Sequence, residues 1–209
     1  MRILLVASLL MTMAQAPATV RTVPAVDLDR YAGDWFEVAR YPNWFQRKCA
    51  GDVRASYARR ADGQIDVVNR CTNLDGSTSE ARGIARLADA DTHAKLKVRF
   101  GPAVLSFLPF IWGDYWIIGL ADDYAWAVVG TPDRKYLWIL ARTPRLDAAT
   151  FERALGAARA SGFDTSRLIK ARQREDTALA GNVTPLAAEV TLPRVRARHH
   201  GLRRTRVRQ

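Results

Sequence analysis

Polar and apolar residues alternate along most of the central part of the chain. The alternation covers residues 35–40, 52–60, 64–70, 78–87, 95–100, 115–120, 124–129 and 136–142. Turn-forming residues such as Ala61-Asp62-Gly63 separate these segments, and side chains on a strand alternate between its two faces. Eight short strands at this spacing predict an all-β domain, an eight-stranded antiparallel up-and-down β-barrel, rather than a parallel sheet.

One later segment has the period of a helix instead. Phe151, Leu155 and Ala158 recur at i, i+4 and i+7, so they share one face of a helix. Asp147 is a suitable N-cap for this helix and Gly162 a suitable end. We therefore expect one C-terminal α-helix between these two residues, with its apolar face packed on the outside of the barrel.

The two ends of the chain lack these patterns. Met1-Arg2, an apolar run and then Ala14-Gln15-Ala16 are typical of a secretory signal peptide, and the run is too short to span a bilayer. Cleavage after Ala16 or after Ala18 fits this segment. The predicted organisation is a signal peptide at 1–18, an N-terminal linker at 19–26, a barrel domain at 27–175 and a disordered Arg-rich tail at 176–209.

The charge is concentrated in the tail. The whole chain has a net charge of +11, and seven arginines against one acid between 177 and 209 contribute +6 of it. The remaining part is only mildly basic, so we do not predict nucleic-acid binding by the barrel. The tail is suited to anionic lipid head groups, and a solvated tail without a partner is the alternative.

Three motifs carry a family resemblance. They are GDWFEVARY at 33–41, ADDY at 121–124 and YLWILARTP at 136–144. In this order, and with a helix after the third, they resemble the signatures of the lipocalins. The likeness is strongest to the branch of bacterial outer-membrane lipocalins, plant temperature-induced lipocalins and apolipoprotein D.

The resemblance implies how one end of the barrel is closed. Trp35 would plug that end, Arg142 would stack over its indole, and Gly33 would allow a close approach of the backbone. All three residues would then be structural. The second motif departs from the family, because Ala121 stands where an acid is usual.

The resemblance also implies a ligand cavity inside the barrel. Every second side chain on a strand faces the same way, so an inward Arg142 and an inward Trp35 fix which residues of their two strands face the cavity. The other strands supply the rest of the lining. The predicted lining is Glu37, Ala39, Trp116, Ile118, Tyr124, Trp126, Tyr136, Trp138 and Leu140. Such a cavity suits one elongated hydrophobic ligand, a fatty acid or a lysophospholipid; a barrel filled by its own aromatic residues is the alternative.

The two cysteines and three histidines limit the chemistry. Cys49 and Cys71 flank one predicted hairpin in an exported chain, which predicts a disulfide, with two free thiols as the alternative. His93 stands beside a predicted turn, and His199 and His200 lie in the tail. We therefore predict no metal site, no cofactor and no enzymatic activity.

The segment between the fifth and sixth predicted strands is unusually apolar. It contains prolines and glycines, which exclude a continuous strand or helix. We predict that it forms a loop at the open end that makes transient contact with a membrane; a self-packed lid or a homodimer contact is the alternative. Its apolar residues are Leu105, Phe107, Leu108, Phe110, Ile111 and Trp112.

Together with the signal segment, the resemblance implies an exported bacterial lipid-binding protein that carries, stores or repairs lipids in the cell envelope. We expect a periplasmic location, free or peripheral to the outer membrane, because the sequence has no lipoprotein cysteine just after the signal segment. Two other functions stay open. They are a scavenger of a haem-like or pigment ligand and, less well supported, an enzyme on the same scaffold.

Overall fold

Eight antiparallel strands form a closed barrel in the computed structural model, which describes residues 19–101 and 111–174. Consecutive strands are neighbours, and the first strand pairs with both the second and the eighth, which closes the sheet. The predicted fold class is confirmed. The strands are β1 (Gly33–Arg40), β2 (Cys49–Arg59), β3 (Ile65–Asn73), β4 (Thr78–Leu87), β5 (Lys95–Phe100), β6 (Gly113–Leu120), β7 (Trp126–Gly130) and β8 (Leu137–Ala141).

A short ninth strand completes the wall near the open end. Strand β1 pairs with β2 only between Gly33 and Phe36, so the two strands separate beyond that point. Strand β9 (Ile169–Lys170) pairs with β1 in the part that β2 has left. The Asp52 N–H then donates to the Arg172 carbonyl at 2.8 Å, which joins the C-terminal segment to β2. The chain after the helix therefore fills a seam between β1 and β2.

The predicted helix packs on the outer wall. Helix α2 runs over Ala148–Ala160, and the Asp147 carboxylate caps it by accepting from the Thr150 N–H at 2.9 Å. A Cβ atom on Gly119 of β6 would lie 2.7 Å from the Ala157 Cβ, so the helix approaches β6 too closely for any side chain there. A 3-10 turn (Thr165–Arg167) links the helix to β9.

The closed end is held by the predicted tryptophan–arginine pair. Trp35 is fully buried, and the Arg142 guanidinium carbon lies 3.9 Å from the centre of its ring. Arg142 also donates to the Arg30 carbonyl at 2.6 Å and the Ala32 carbonyl at 2.9 Å. These carbonyls lie at the end of helix α1 (Leu28–Tyr31), so one guanidinium joins that helix to the barrel floor.

The segment at 19–26 was predicted to be a linker, and this prediction is wrong. Val20 and Val26 are buried. The Val23 N–H donates to the Ile117 carbonyl at 3.0 Å, and the Val26 N–H donates to the Thr92 carbonyl at 2.8 Å. This stretch is part of the folded domain. The predicted signal peptide at 1–18 and tail at 176–209 lie outside the described residues.

The predicted disulfide is confirmed. Cys49 on β2 and Cys71 on β3 are bonded, and their Cα atoms lie 5.6 Å apart. The bond spans 22 positions of sequence. It links β2 to β3 in the half of their hairpin that is nearer the open end, where the register between the two strands is irregular.

We expect the double variant Cys49→Ala, Cys71→Ala to lose about 3 kcal/mol of unfolding free energy. The reason is that a cross-link across a loop of this length restricts the unfolded chain by about that amount. Urea unfolding measures the loss. The wild-type protein with its disulfide reduced is the matched control and should unfold with the variant; equal stability of the oxidised wild type and the variant would contradict the prediction.

Candidate ligand-binding site

The inner face of the barrel forms one continuous apolar cluster. Strands β2 to β5 contribute buried residues that have more exposed neighbours on the same strand, as expected when one face of a strand is turned inward. Strands β6 to β8 contribute the next part of the wall. The buried members of this interior cluster on the strands are Trp35, Tyr57, Ile65, Val67, Ala85, Leu96, Ile117, Ala127, Val129 and Leu140.

Several residues predicted to line the cavity do face this interior. Leu140 is a buried member of the interior cluster, and Trp138 packs against it. Tyr136 stacks on Trp138 with 5.8 Å between ring centres, on the side of the open end. Tyr124 also belongs to the cluster but at the closed end, where its hydroxyl accepts from the Asp27 N–H at 2.8 Å.

The prediction for Ala39 is wrong because β1 contains a bulge. The pairing between β1 and β8 shifts between Glu37 and Ala39, so the strict alternation of faces is lost there. Glu37 is buried and lies opposite Leu140, on the inner face. Ala39 is turned to the outer cluster beneath helix α2, and Arg40 takes the inner position opposite Trp138.

The predictions for Trp116, Ile118 and Trp126 are also wrong. All three belong to the outer cluster that packs under helix α2. On β6 the interior residues are instead Tyr115 and Ile117, one position earlier. Helix α2 covers this part of the wall, so both faces of these strands are apolar and the hydrophobic pattern does not distinguish them.

Three tyrosine hydroxyls form a chain inside the barrel that the sequence did not reveal. The Tyr115 hydroxyl lies 2.8 Å from that of Tyr31 and 2.9 Å from that of Tyr57. Burial raises the pKa of all three phenols, and that of Tyr57 rises to about 12. These hydroxyls satisfy one another, so the depth of the barrel presents mainly ring and hydrocarbon surface.

A polar network lies nearer the open end. The Arg40 Nη1 atom donates to Glu37 Oε1 at 2.8 Å, and the Gln46 side-chain amide donates to Glu37 Oε2 at 2.7 Å. The Trp138 indole N–H donates to Gln46 Oε1 at 3.1 Å. Burial raises the pKa of the Glu37 carboxyl, although Arg40 and Gln46 act to lower it. Loop 41–48 thus reaches into the barrel and joins its wall.

Aromatic residues line the path from this loop to the interior. Phe45 lies 5.5 Å from Tyr136 and 6.3 Å from Trp138, measured between ring centres. Trp44 packs edge-on against Phe45 and is 70% exposed. One series of rings therefore connects solvent with the inner wall.

The apolar loop predicted to touch a membrane is described only at its end. Ile111 and Trp112 are half-buried, and the Arg86 guanidinium lies 4.3 Å from the centre of the Trp112 ring. The guanidinium of Arg99 lies 5.4 Å from the same ring. The other predicted contact residues, Leu105, Phe107, Leu108 and Phe110, lie outside the described residues.

Residues 19–101 and 111–174 contain neither a metal-binding cluster nor a membrane-spanning helix. No group of three His, Cys, Asp or Glu side chains in these ranges is arranged to hold a metal ion. No helix in the same part of the chain is long and apolar enough to cross a membrane.

We expect the free energy of unfolding to fall as the pH rises from 10 to 12. Tyr57 ionises near pH 10 when the chain is unfolded but only near pH 12 in the barrel, so alkali favours the unfolded state. Tyr57 alone should account for about 2 kcal/mol of the loss by pH 12. Urea unfolding at several pH values measures the fall, which should be smaller by this amount in Tyr57→Phe. The same pH dependence in both proteins would contradict the assignment.

Comparison with protein families gives a match over most of the chain. A family model described as a lipocalin-like domain matches residues 26–173. Temperature-induced lipocalin-1 of Arabidopsis thaliana is 39% identical over 169 residues, which are 79% of this chain and 89% of that protein. The outer membrane lipoprotein Blc of Escherichia coli (strain K12) is also 39% identical, over 158 residues that make up 75% of this chain and 85% of the relative.

A solved structure shows the same fold at lower identity. Insecticyanin from the tobacco hornworm Manduca sexta superposes with a TM-score of 0.60 and is 22% identical. The match covers 75% of this chain and 86% of that one.

Proposed function

Because the chain belongs to the lipocalin family, whose members in general bind and carry small hydrophobic molecules, we propose that its barrel binds a single-chain lipid, a fatty acid or a lysophospholipid. The observation that carries this proposal is the distribution of polarity inside the barrel. The interior cluster is apolar, and its deep hydroxyls are paired with one another. Charged side chains join the inner face near the open end, at Glu37 and Arg40. An amphiphile matches this order, with its chain inside and its head group at the mouth.

We infer further that this lipid is carried or stored in a bacterial cell envelope and that the protein is periplasmic. The relatives from Escherichia coli and Vibrio cholerae are named outer membrane lipoproteins, which supports an envelope role. The Cys49 sulfur is bonded to Cys71 and so is not available to carry an acyl chain. Family members are generally binding and transport proteins, and we propose no enzymatic activity for this chain.

We expect Trp138→Ala to weaken the binding of a fluorescent fatty acid about tenfold, since a large ring is lost from the inner wall. Fluorescence titration measures the dissociation constant. Trp126→Ala is the matched control, because it removes the same side chain from the outer cluster, and it should change the affinity less than about twofold. Equal effects of the two substitutions would contradict binding inside the barrel, and urea unfolding of both variants shows that each is folded.

A natural ligand that stays bound during purification can be identified by its mass. Native mass spectrometry of material taken from its own envelope should show a bound fatty acid or lysophospholipid. A coloured or haem-like ligand would support the scavenger function instead.

We also propose that the open end touches a membrane, as predicted from the apolar loop. Support comes from neighbouring loops that the structure describes. Trp44 is 70% and Leu74 79% exposed, and the Leu74 N–H donates to the Lys48 carbonyl at 3.1 Å, so the loops that carry them form one surface. Arg47 and Lys48 add positive charge to this surface, which suits anionic head groups.

We expect the double variant Trp44→Ser, Leu74→Ser to partition about tenfold less into anionic liposomes, because each side chain loses its share of apolar burial in the bilayer. Liposome sedimentation measures the partition coefficient. Phe36→Ser, which changes an apolar residue on the wall near the closed end, should have little effect. Unchanged partitioning, combined with a loss of dimer in analytical ultracentrifugation, would assign the surface to self-association instead.

A further inference from the structure

Arg40 is placed on the inner face of the barrel by the bulge in β1. It lies opposite Trp138 in the β1–β8 pairing and is only 9% exposed. Without the bulge, the alternation from an inward Trp35 would put Arg40 on the outer face. The bulge therefore turns a cation into the aromatic-lined mouth, where a buried charge must be paired.

The partners of Arg40 leave one edge of its guanidinium unused. Nη1 is paired with Glu37 at 2.8 Å. Nε is buried and has no hydrogen-bond partner within the described part of the chain. The Nε–H and one Nη2–H point in parallel along the same edge, which is the geometry that binds two oxygens of a carboxylate or phosphate.

Glu37 does not occupy this edge, because one of its oxygens binds Arg40 Nη1 and the other binds Gln46. Oε1 accepts from Arg40 Nη1, and Oε2 accepts from the Gln46 amide at 2.7 Å. Gln173 donates to the Glu37 carbonyl at 2.8 Å and so fixes the backbone at this point. The network therefore holds the guanidinium in place and leaves its Nε edge for another acceptor.

A cavity of about 170 Å³ lies against Arg40, where β1, β2 and the C-terminal segment meet. Arg172 and Lys170 also line it, and among residues 19–101 and 111–174 no acidic residue does so. The Lys170 ammonium lies 5.2 Å from the centre of the Phe151 ring, so the charge of Lys170 is directed to the outer wall. Arg40 is the buried cation of this cavity, and the volume is large enough for a carboxylate or phosphate group with several waters.

We propose that Arg40 anchors the head group of the ligand, by binding an oxyanion of a single-chain amphiphile at its Nε edge. The acyl chain then runs past Trp138 into the apolar interior. Glu37 is a positioning residue that orients the guanidinium. This inference rests on the proposed lipid binding and deepens it, because it selects ligands with an anionic carboxylate or phosphate monoester head over neutral ones of the same chain length.

The test compares ligands that differ only in the head group. Octadecenoic acid is paired with octadecenol, and a monoacylglycerol phosphate is paired with the matching monoacylglycerol. At about pH 8, isothermal titration calorimetry with the wild-type protein should show each anionic ligand binding at least about tenfold more tightly than its neutral partner. Inorganic phosphate alone should bind far more weakly than the phosphate lipid.

The informative variant is Arg40→Met combined with Glu37→Gln, because removing the arginine alone would leave a buried carboxylate unpaired. In this variant the preference for the anionic ligand should fall to about onefold to twofold. Arg40→Lys keeps the charge but loses the parallel donors, so it should retain an intermediate preference. Arg54→Met is the control; it removes an exposed arginine that lies over the Phe36 ring on the outer face, and the preference should not change.

Three results would overturn the anchor. They are a preference that survives in the double variant, an equal loss in Arg54→Met, and inorganic phosphate that binds as tightly as the phosphate lipid. Wild-type protein that binds the acid and the alcohol equally well would overturn the anchor and leave the proposed lipid binding intact. Wild-type protein that binds neither chain would overturn both.

Discussion

The pairing of strand β1 on both of its edges is the constraint on which the rest of the structure depends. One edge pairs with β8, and the other pairs first with β2 and then with β9. A sheet closes into a barrel without a free edge only when its first strand pairs with its last strand as well as with its second. The residues of β1 also plug the floor with Trp35 and place Glu37 and Arg40 inside. Closure, floor and site are therefore built from a single eight-residue strand.

The interior combines an apolar wall with a small number of buried polar groups. The tyrosine chain near the floor is satisfied within itself, whereas the Glu37–Arg40 pair near the mouth takes a partner from loop 41–48. Buried charges are stable only when paired and hydrogen-bonded. Loop 41–48 is thus tied to the wall by the same carboxylate that holds Arg40. Any movement of this loop changes the surroundings of the guanidinium.

The strands, the helix and the closed end could be predicted from sequence, and half of the cavity wall could not. Alternation anchored at Trp35 and Arg142 placed Glu37, Trp138 and Leu140 correctly, because each is close to a motif residue of known direction. It failed at Ala39, where a bulge adds one residue to the strand. It also failed at Trp116, Ile118 and Trp126, where helix α2 makes the outer face as apolar as the inner one. Tyr115, one position before Trp116, faces the interior, and no local pattern of polar and apolar residues distinguishes the directions of these two side chains.

Residues 169–173 fill the seam between β1 and β2, so a late part of the chain completes the barrel wall. Gln173 bonds to the Glu37 carbonyl across 136 positions of sequence, and Arg172 bonds to Asp52 at a similar separation. Contacts between such distant residues form slowly, because a long loop must close first. Synthesis proceeds from the N-terminus, so all eight barrel strands leave the ribosome before the segment that seals β1 to β2. Until residues 169–173 have docked, the wall between β1 and β2 is open and the barrel is incomplete.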